Sequence, residues 1–221
     1  MRRRLFNRCR GGIARPAGLF LLASVLLLSA ALVPAIALGD LHRNPANASS
    51  LLSEPIEDLR YDYAKRCLRN SQPGTRALEG WLERNWRGVS WGIMRCEKLG
   101  PHNFSLHSEG RALDWHLDAG VPAQRRAAMR LIDLLLAPDR DGNEAALARR
   151  MGVQGLIFNC HSWFGYGDRL GRYSYCFGRN GKRRNHLDRT AAHMDHVHIE
   201  LNWPGARKRT SFWRSPLAVR P

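Results

Sequence analysis

The 221-residue chain reads as an α+β protein: a small, mainly antiparallel sheet flanked by helices, in a single domain behind an N-terminal membrane-targeting segment. Three observations predict this. Short runs with strand-like alternation are interleaved with amphipathic runs of helical period. Some of the gaps between strands are hairpin-sized. The content is 44% hydrophobic and 24% charged, which is globular rather than disordered, and no internal repeat is visible.

The first 39 residues stand apart. Met1 to Pro16 carries six arginines and no acid, and an apolar run follows from Ala17 to about Leu38. A basic start, an apolar middle and small residues around Ala35-Ile36-Ala37 make a secretory signal peptide. The run is also close to the ~20 residues that span a bilayer, so an uncleaved membrane anchor is the alternative. Either way the arginines stay cytoplasmic and the remainder is exported to periplasm, cell wall or medium. Residues 40–54 are polar and read as a linker, leaving 55–221 as the folded domain with a basic C-terminal tail.

Within that domain, residues 55–70 read as a first helix or an irregular lead-in. Thr75 to Trp86 places Leu78, Trp81, Leu82 and Trp86 at helical spacing, with Thr75 as N-cap. "GVSWGIMRC" turns strand-like, and Arg111 to Leu117 alternates as a strand. "PAQRRAAMRLIDLLL" is an amphipathic helix opened by Pro122, and "NEAALARRMG" a second helix closed by Gly152. Val153 to Asn159 reads as a buried strand, 161–192 as a long loop or hairpin, and "HVHIELNW" as a final strand. Asp139-x-Asp141-Gly142 has its glycine two positions too early for a calcium loop, and reads as a helix-start turn.

Four cysteines follow the leader. In an exported domain they read as two disulfides, in any of three connectivities, with Cys67–Cys96 and Cys160–Cys176 preferred because each closes a modest loop; a zinc site is the rival, but none shows C-x-x-C spacing. Removing the six leader arginines from the net charge of +16 leaves +10. That charge suits an anionic envelope polymer, or reflects an arginine-biased composition in which only four of 35 basic residues are lysines. A nuclease or nucleic-acid binder also fits the charge, and export argues against it.

Two segments carry chemistry. "SLHSEGRALDWHLD" offers His107 and Asp114, with Gly110 turning the chain between them. Period-two alternation puts Asp114, His116 and Asp118 on one strand face, and His196 and His198 on one face of "HVHIE". An antiparallel pairing of the two strands would set His198 beside Asp114 and His107. Three His or carboxylate ligands with one open position are what catalytic zinc takes.

Ser105-x-His107-x-x-Gly110-x-Ala112-x-Asp114, with the late Asp195-x-x-His198 strand, resembles the zinc superfamily of D-alanyl-D-alanine carboxypeptidases and dipeptidases, murein endopeptidases and the hedgehog signalling domain. It is also similar to secreted microbial proteins of unassigned activity that carry a D-H-V-H strand. The likeness runs from about Gly88 to Trp203 and is sharp only at the two motifs. It implies Zn2+ held by His107, Asp114 and His198, and hydrolysis of cell-wall peptidoglycan stems; the hedgehog branch implies a recognition domain without catalysis as the alternative. The carboxypeptidases carry glutamate where this chain has Asp195, whereas the H-x-x-H-x-H of the murein endopeptidases is matched by His193, His196 and His198. The general base is therefore Asp195, His193 or His196, with Asp195 favoured and His196 orienting. Arg95 either holds a substrate carboxylate or is one more surface arginine.

Overall fold

A computed structural model describes residues 55–215 apart from 102 and 168, so the signal peptide or anchor and the linker expected upstream lie outside the described residues. Among the described residues no helix is long and apolar enough to cross a membrane.

The strands are β1 (Val89–Gly92), β2 (Lys98–Gly100), β3 (Asn103–Phe104), β4 (Ala112–His116), β5 (Val153–Phe158), β6 (His161–Phe164), β7 (Gly171–Arg172) and β8 (His196–Leu201). β2 and β3 form a separate ribbon. The other six make one sheet in the order β1-β4-β8-β5-β6-β7, with every neighbouring pair antiparallel. The last long strand in sequence is thus central in space, between β4 and β5. Its Val197, Ile199 and Leu201 face the core with Leu113 and Trp115 of β4 and Leu156 and Phe158 of β5.

Helices cover that apolar face: α1 (Pro73–Asn85), α2 (Pro122–Leu136), α3 (Ala146–Met151), α4 (Trp203–Ala206) and α5 (Ser211–Arg214). Leu78 and Leu82 of α1, Leu131, Ile132 and Leu135 of α2, and Met151 of α3 are essentially solvent-free in the same cluster. Burying a side chain of this size stabilises the fold by about 1.5–3 kcal/mol.

Three local expectations are corrected. Thr75 is not the N-cap of α1: Gln72 occupies that position, Pro73 opens the helix, and the buried Thr75 hydroxyl donates to Gly110 O at 2.8 Å. The second helix starts at Ala146 rather than near Asn143, because the Asp139 carboxylate accepts from the backbone of Asp141 and Asn143 and holds a turn there. Asp118 lies beyond β4, which ends at His116; it accepts from Gly120 N and pairs with Arg189 at 2.8 Å.

The lead-in 55–70 is irregular, with one bridge from Ala64 to Phe104. Buried Arg111 anchors it, donating to Asp62 O, Leu201 O and the Glu109 carboxylate, while Glu109 also accepts from Lys65 N. Within 161–192, β6 pairs with β5 through the two-residue turn Asn159-Cys160, both at positive φ, as the hairpin twist demands. Both expected disulfides form, Cys67–Cys96 and Cys160–Cys176, and they indicate an oxidising, exported setting.

Candidate metal centre

With helices on one face, the opposite face of the sheet carries the polar side chains of β4 and β8. Asp114 is the cross-strand partner of His198, and His116 of His196. His107 comes from outside the sheet, on the 3-10 turn Leu106–Glu109, which Gly110 closes at φ 64. That left-handed conformation lets the chain pass from the turn directly into β4, seven residues from His107 to Asp114.

The three side chains converge. Asp114 Oδ1 lies 2.8 Å from His198 Nδ1 and 3.1 Å from His107 Nε2, and the two nitrogens are 3.2 Å apart. Four ligands placed tetrahedrally at zinc–nitrogen distances of ~2.0–2.1 Å would stand about 3.3 Å from one another. The triangle is therefore close to the size a small divalent ion requires.

Hydrogen bonding at the far side of each ring fixes what the near side offers. His107 Nδ1–H donates to Ile93 O at 2.7 Å, so Nε2 presents a lone pair. His198 Nε2–H donates to Glu200 Oε1 at 3.1 Å, so Nδ1 does the same, and Tyr61 O–H donates to the other oxygen of Glu200 at 2.8 Å. Three acceptors aimed at one point, each held from behind, is the pattern of a ligand set with its supporting shell. Gly155 makes room for that shell, since a Cβ there would collide with the Glu200 carboxylate.

The electrostatics agree. Burial works to raise the pKa of Asp114, but the imidazoles of His107, His196 and His198 around it hold it far below the usual carboxylate range. Burial pushes His107 down. It also opposes charge on His198, yet the hydrogen bonds that ring donates to the Asp114 and Glu200 carboxylates win and raise it to about 9. The site thus demands a positive charge at its centre, and His198 takes a proton when nothing else supplies one. His107, Asp114 and His198 are a group that could hold a metal ion.

His193, His196 and His198 form a second such group, sharing His198. His196 Nδ1 is bound to Asp195 Oδ1 at 2.7 Å, whereas its Nε2 is buried, 3.4 Å from Asp114 Oδ1, and has no hydrogen-bond partner. An orphaned buried nitrogen beside three converging acceptors again fits an ion or a reacting molecule there. His193, at φ 53, sets its ring 4.8 Å from that of His196 and 5.3 Å from that of His198. Burial, then the charges of His198 and His196, lower His193 to about 2, so it is neutral.

Asp195 stands just before β8. Its Oδ2 accepts from Thr190 Oγ1 at 2.6 Å and its Oδ1 is engaged by His196; burial opposes these bonds, which nonetheless keep its pKa below the ordinary value. Arg95 donates to Asp114 Oδ2 at 2.6 Å and to Glu97 at 3.3 Å, with about half of its side chain in solvent.

The aromatics of the segment 161–176 fall into three groups: Trp163 lies in the main core. Tyr173 and Tyr175 pack around the Cys160–Cys176 bridge, and Phe164 and Tyr166 group with Tyr61. His161 is exposed and bonds Asn159 O.

Two contributions were not read from the sequence. Glu200 shares the face of His198 by period two, so its signal was present. Trp91 was hidden, because it is the extra residue of a β-bulge: Ser90 pairs with Trp115 and Gly92 with Asp114, leaving Trp91 unpaired. The bulge turns the half-exposed indole onto His116, stacked at 4.2 Å, and within 5.8 Å of His196.

No protein-family model, curated protein or solved structure matches this chain.

Proposed function

We propose that the protein is an exported zinc-dependent hydrolase that cleaves a peptide bond in the stems of cell-wall peptidoglycan or a similar peptide. The observation that carries this reading is the convergence of His107 Nε2, Asp114 Oδ1 and His198 Nδ1 beside the unpartnered Nε2 of His196. The choice of zinc and of peptidoglycan comes from the resemblance of the two motifs to the zinc peptidases, and from a basic, disulfide-bonded, exported chain.

In this reading His107, Asp114 and His198 hold the ion. A bound zinc ion would lower the pKa of a water toward neutrality and polarise the scissile carbonyl. His196 is the proton carrier: Asp195 fixes Nδ1–H, so Nε2 is free to take the proton of the attacking water and return it to the leaving amine. Asp195 then acts through His196. Arg95 neutralises Asp114 and keeps its remaining donors for a substrate carboxylate. His193, neutral and half-buried, packs behind His196, and Trp91 forms an exposed wall beside it.

Elemental analysis of the protein, with a His107→Ala variant beside it, is the primary test. One zinc per chain, lost in the variant, followed by mass-spectrometric detection of cleaved stem peptides from purified peptidoglycan, supports the reading. A folded, metal-free protein overturns it. Metal retained with no cleavage of any stem peptide would favour a recognition domain of the same fold.

A further inference from the structure

Between 169 and 187 the sequence contains no Asp or Glu, yet residues 170–187 alone carry Arg172, Arg179, Lys182, Arg183 and Arg184. Elsewhere several arginines meet carboxylates, among them Arg60 with Asp62, Arg95 with Asp114, Arg111 with Glu109 and Arg150 with Asp139. The five cations of this segment have no carboxylate partner among the described residues. The feature to explain is therefore the local absence of acid, rather than the arginine content of the whole chain.

The segment is also shaped. The Cys160–Cys176 bridge closes its base, and Arg184 N donates to Cys176 O at 2.9 Å. Phe177 and Arg183 form an antiparallel bridge, and Gly178 N donates to Lys182 O at 2.9 Å, closing a tight reversal. Arg172 lies over the Phe177 ring at 5.2 Å and donates to Gly181 O, tying the preceding strand to the tip. Cations on a stapled reversal lose less freedom on binding than cations on a free loop. The base adjoins the metal centre, for Tyr173 donates its amide to Cys160 O and meets the His193 ring edge-on at 5.3 Å.

We propose that this disulfide-closed basic hairpin is a docking surface for a linear, phosphate-bearing envelope polymer, which it holds alongside the His193–His196–His198 face. The other macromolecular partners fit less well. A membrane surface calls for apolar side chains to insert, and single-stranded nucleic acid calls for exposed aromatics on which bases stack. The exposed large apolar residues among those described, Tyr63, Trp91 and Tyr166 included, all lie outside 169–189. What remains is charge alone on a fixed frame, suited to a repeating anion with neither lipid nor base. The proposal takes its location from the hydrolase reading, but the binding does not depend on catalysis.

The test measures binding of linear polyphosphate to the full chain over a salt series. It compares the native protein with an Arg179→Glu/Lys182→Glu/Arg183→Glu variant and an Arg125→Glu/Arg126→Glu/Arg140→Glu variant of the same net charge. Circular dichroism and melting temperature verify that each is folded. Expected is salt-sensitive binding, weakened at least about tenfold by the hairpin substitutions and within about twofold of native in the control, since counterion release scales with the phosphates contacted. No binding overturns the proposal, as does an equal loss in both variants, which would mean net charge only. Tighter, hairpin-dependent binding of phosphatidylglycerol vesicles or of oligothymidylate overturns the choice of partner. Binding without any stem-peptide cleavage would sink the hydrolase reading and leave the docking surface standing.

Discussion

Asp114 and His198 sit directly opposite each other on β4 and β8, and Asp114 Oδ1 lies 2.8 Å from His198 Nδ1. A cross-strand pair of this kind is held by the ladder on both sides, so its geometry is set before any ion binds. His107 needs only one short turn to reach it.

Removing a ligand and removing its support should differ in degree. His107→Ala or Asp114→Asn is expected to abolish stoichiometric zinc at micromolar ion. Glu200→Gln, which removes the charge that holds His198 Nε2–H, should retain zinc but weaken it about 10–100-fold. Competition with a chelator of known affinity checks both, and equal loss in all three variants would argue that the fold, rather than coordination, had failed.

Proton transfer should separate from metal holding. His196→Ala is expected to keep one zinc per chain while lowering kcat by about 10²–10⁴-fold on a stem peptide. Asp195→Asn should give a smaller loss in kcat with little change in KM, because it frees the tautomer of His196 rather than removing the ring. A His196→Ala enzyme with native kcat would exclude this residue as the carrier.

Metal affinity should rise with pH. His198 is raised to about 9 in the ion-free site, so below that value an entering ion must displace its proton. Apparent affinity should climb about tenfold per pH unit toward pH 9 and level off above it. For the ion-free protein the sign is the reverse. With a folded pKa above the unfolded value of ~6.5, the stabilisation from protonated His198 is complete below pH ~6.5 and lost as pH rises through about 9. Melting curves with and without zinc across that window should diverge progressively, and parallel curves would contradict the assignment.

Crowding behind the site gives a fourth expectation. Gly155→Ala places a methyl where the Glu200 carboxylate lies. It should destabilise the fold by about 1–3 kcal/mol and weaken zinc alongside, since displacing Glu200 releases His198. Urea unfolding paired with metal content would read both effects in one preparation.

Four cysteines in an exported domain called for two disulfides and left three pairings open, of which the fold chose one. The sequence by itself determined the α+β class, most of the helix and strand positions and the grouping of His107, Asp114 and His198. Each rests on a short-range rule: a period of two puts Asp114 and His198 on matching faces, and Gly110 marks a turn wherever it falls. Tertiary structure decided what depends on neighbours distant in the chain. β8 became the centre of the sheet because both of its edges found partners, β4 and β5, which no local pattern specifies. Thr75 lost its expected capping role because Pro73 opened the helix earlier and Gly110 O lay within reach of its hydroxyl. Trp91 reached the site through a bulge, an irregularity in pairing that alternation cannot foresee. Asp195, next to His196 in sequence, came to bond that ring rather than face the other ligands, since it precedes the strand whose register orients the rest. Periodicity tells which side chains share a face, but only the folded chain sets which atoms meet and which, like His196 Nε2, are left without a partner.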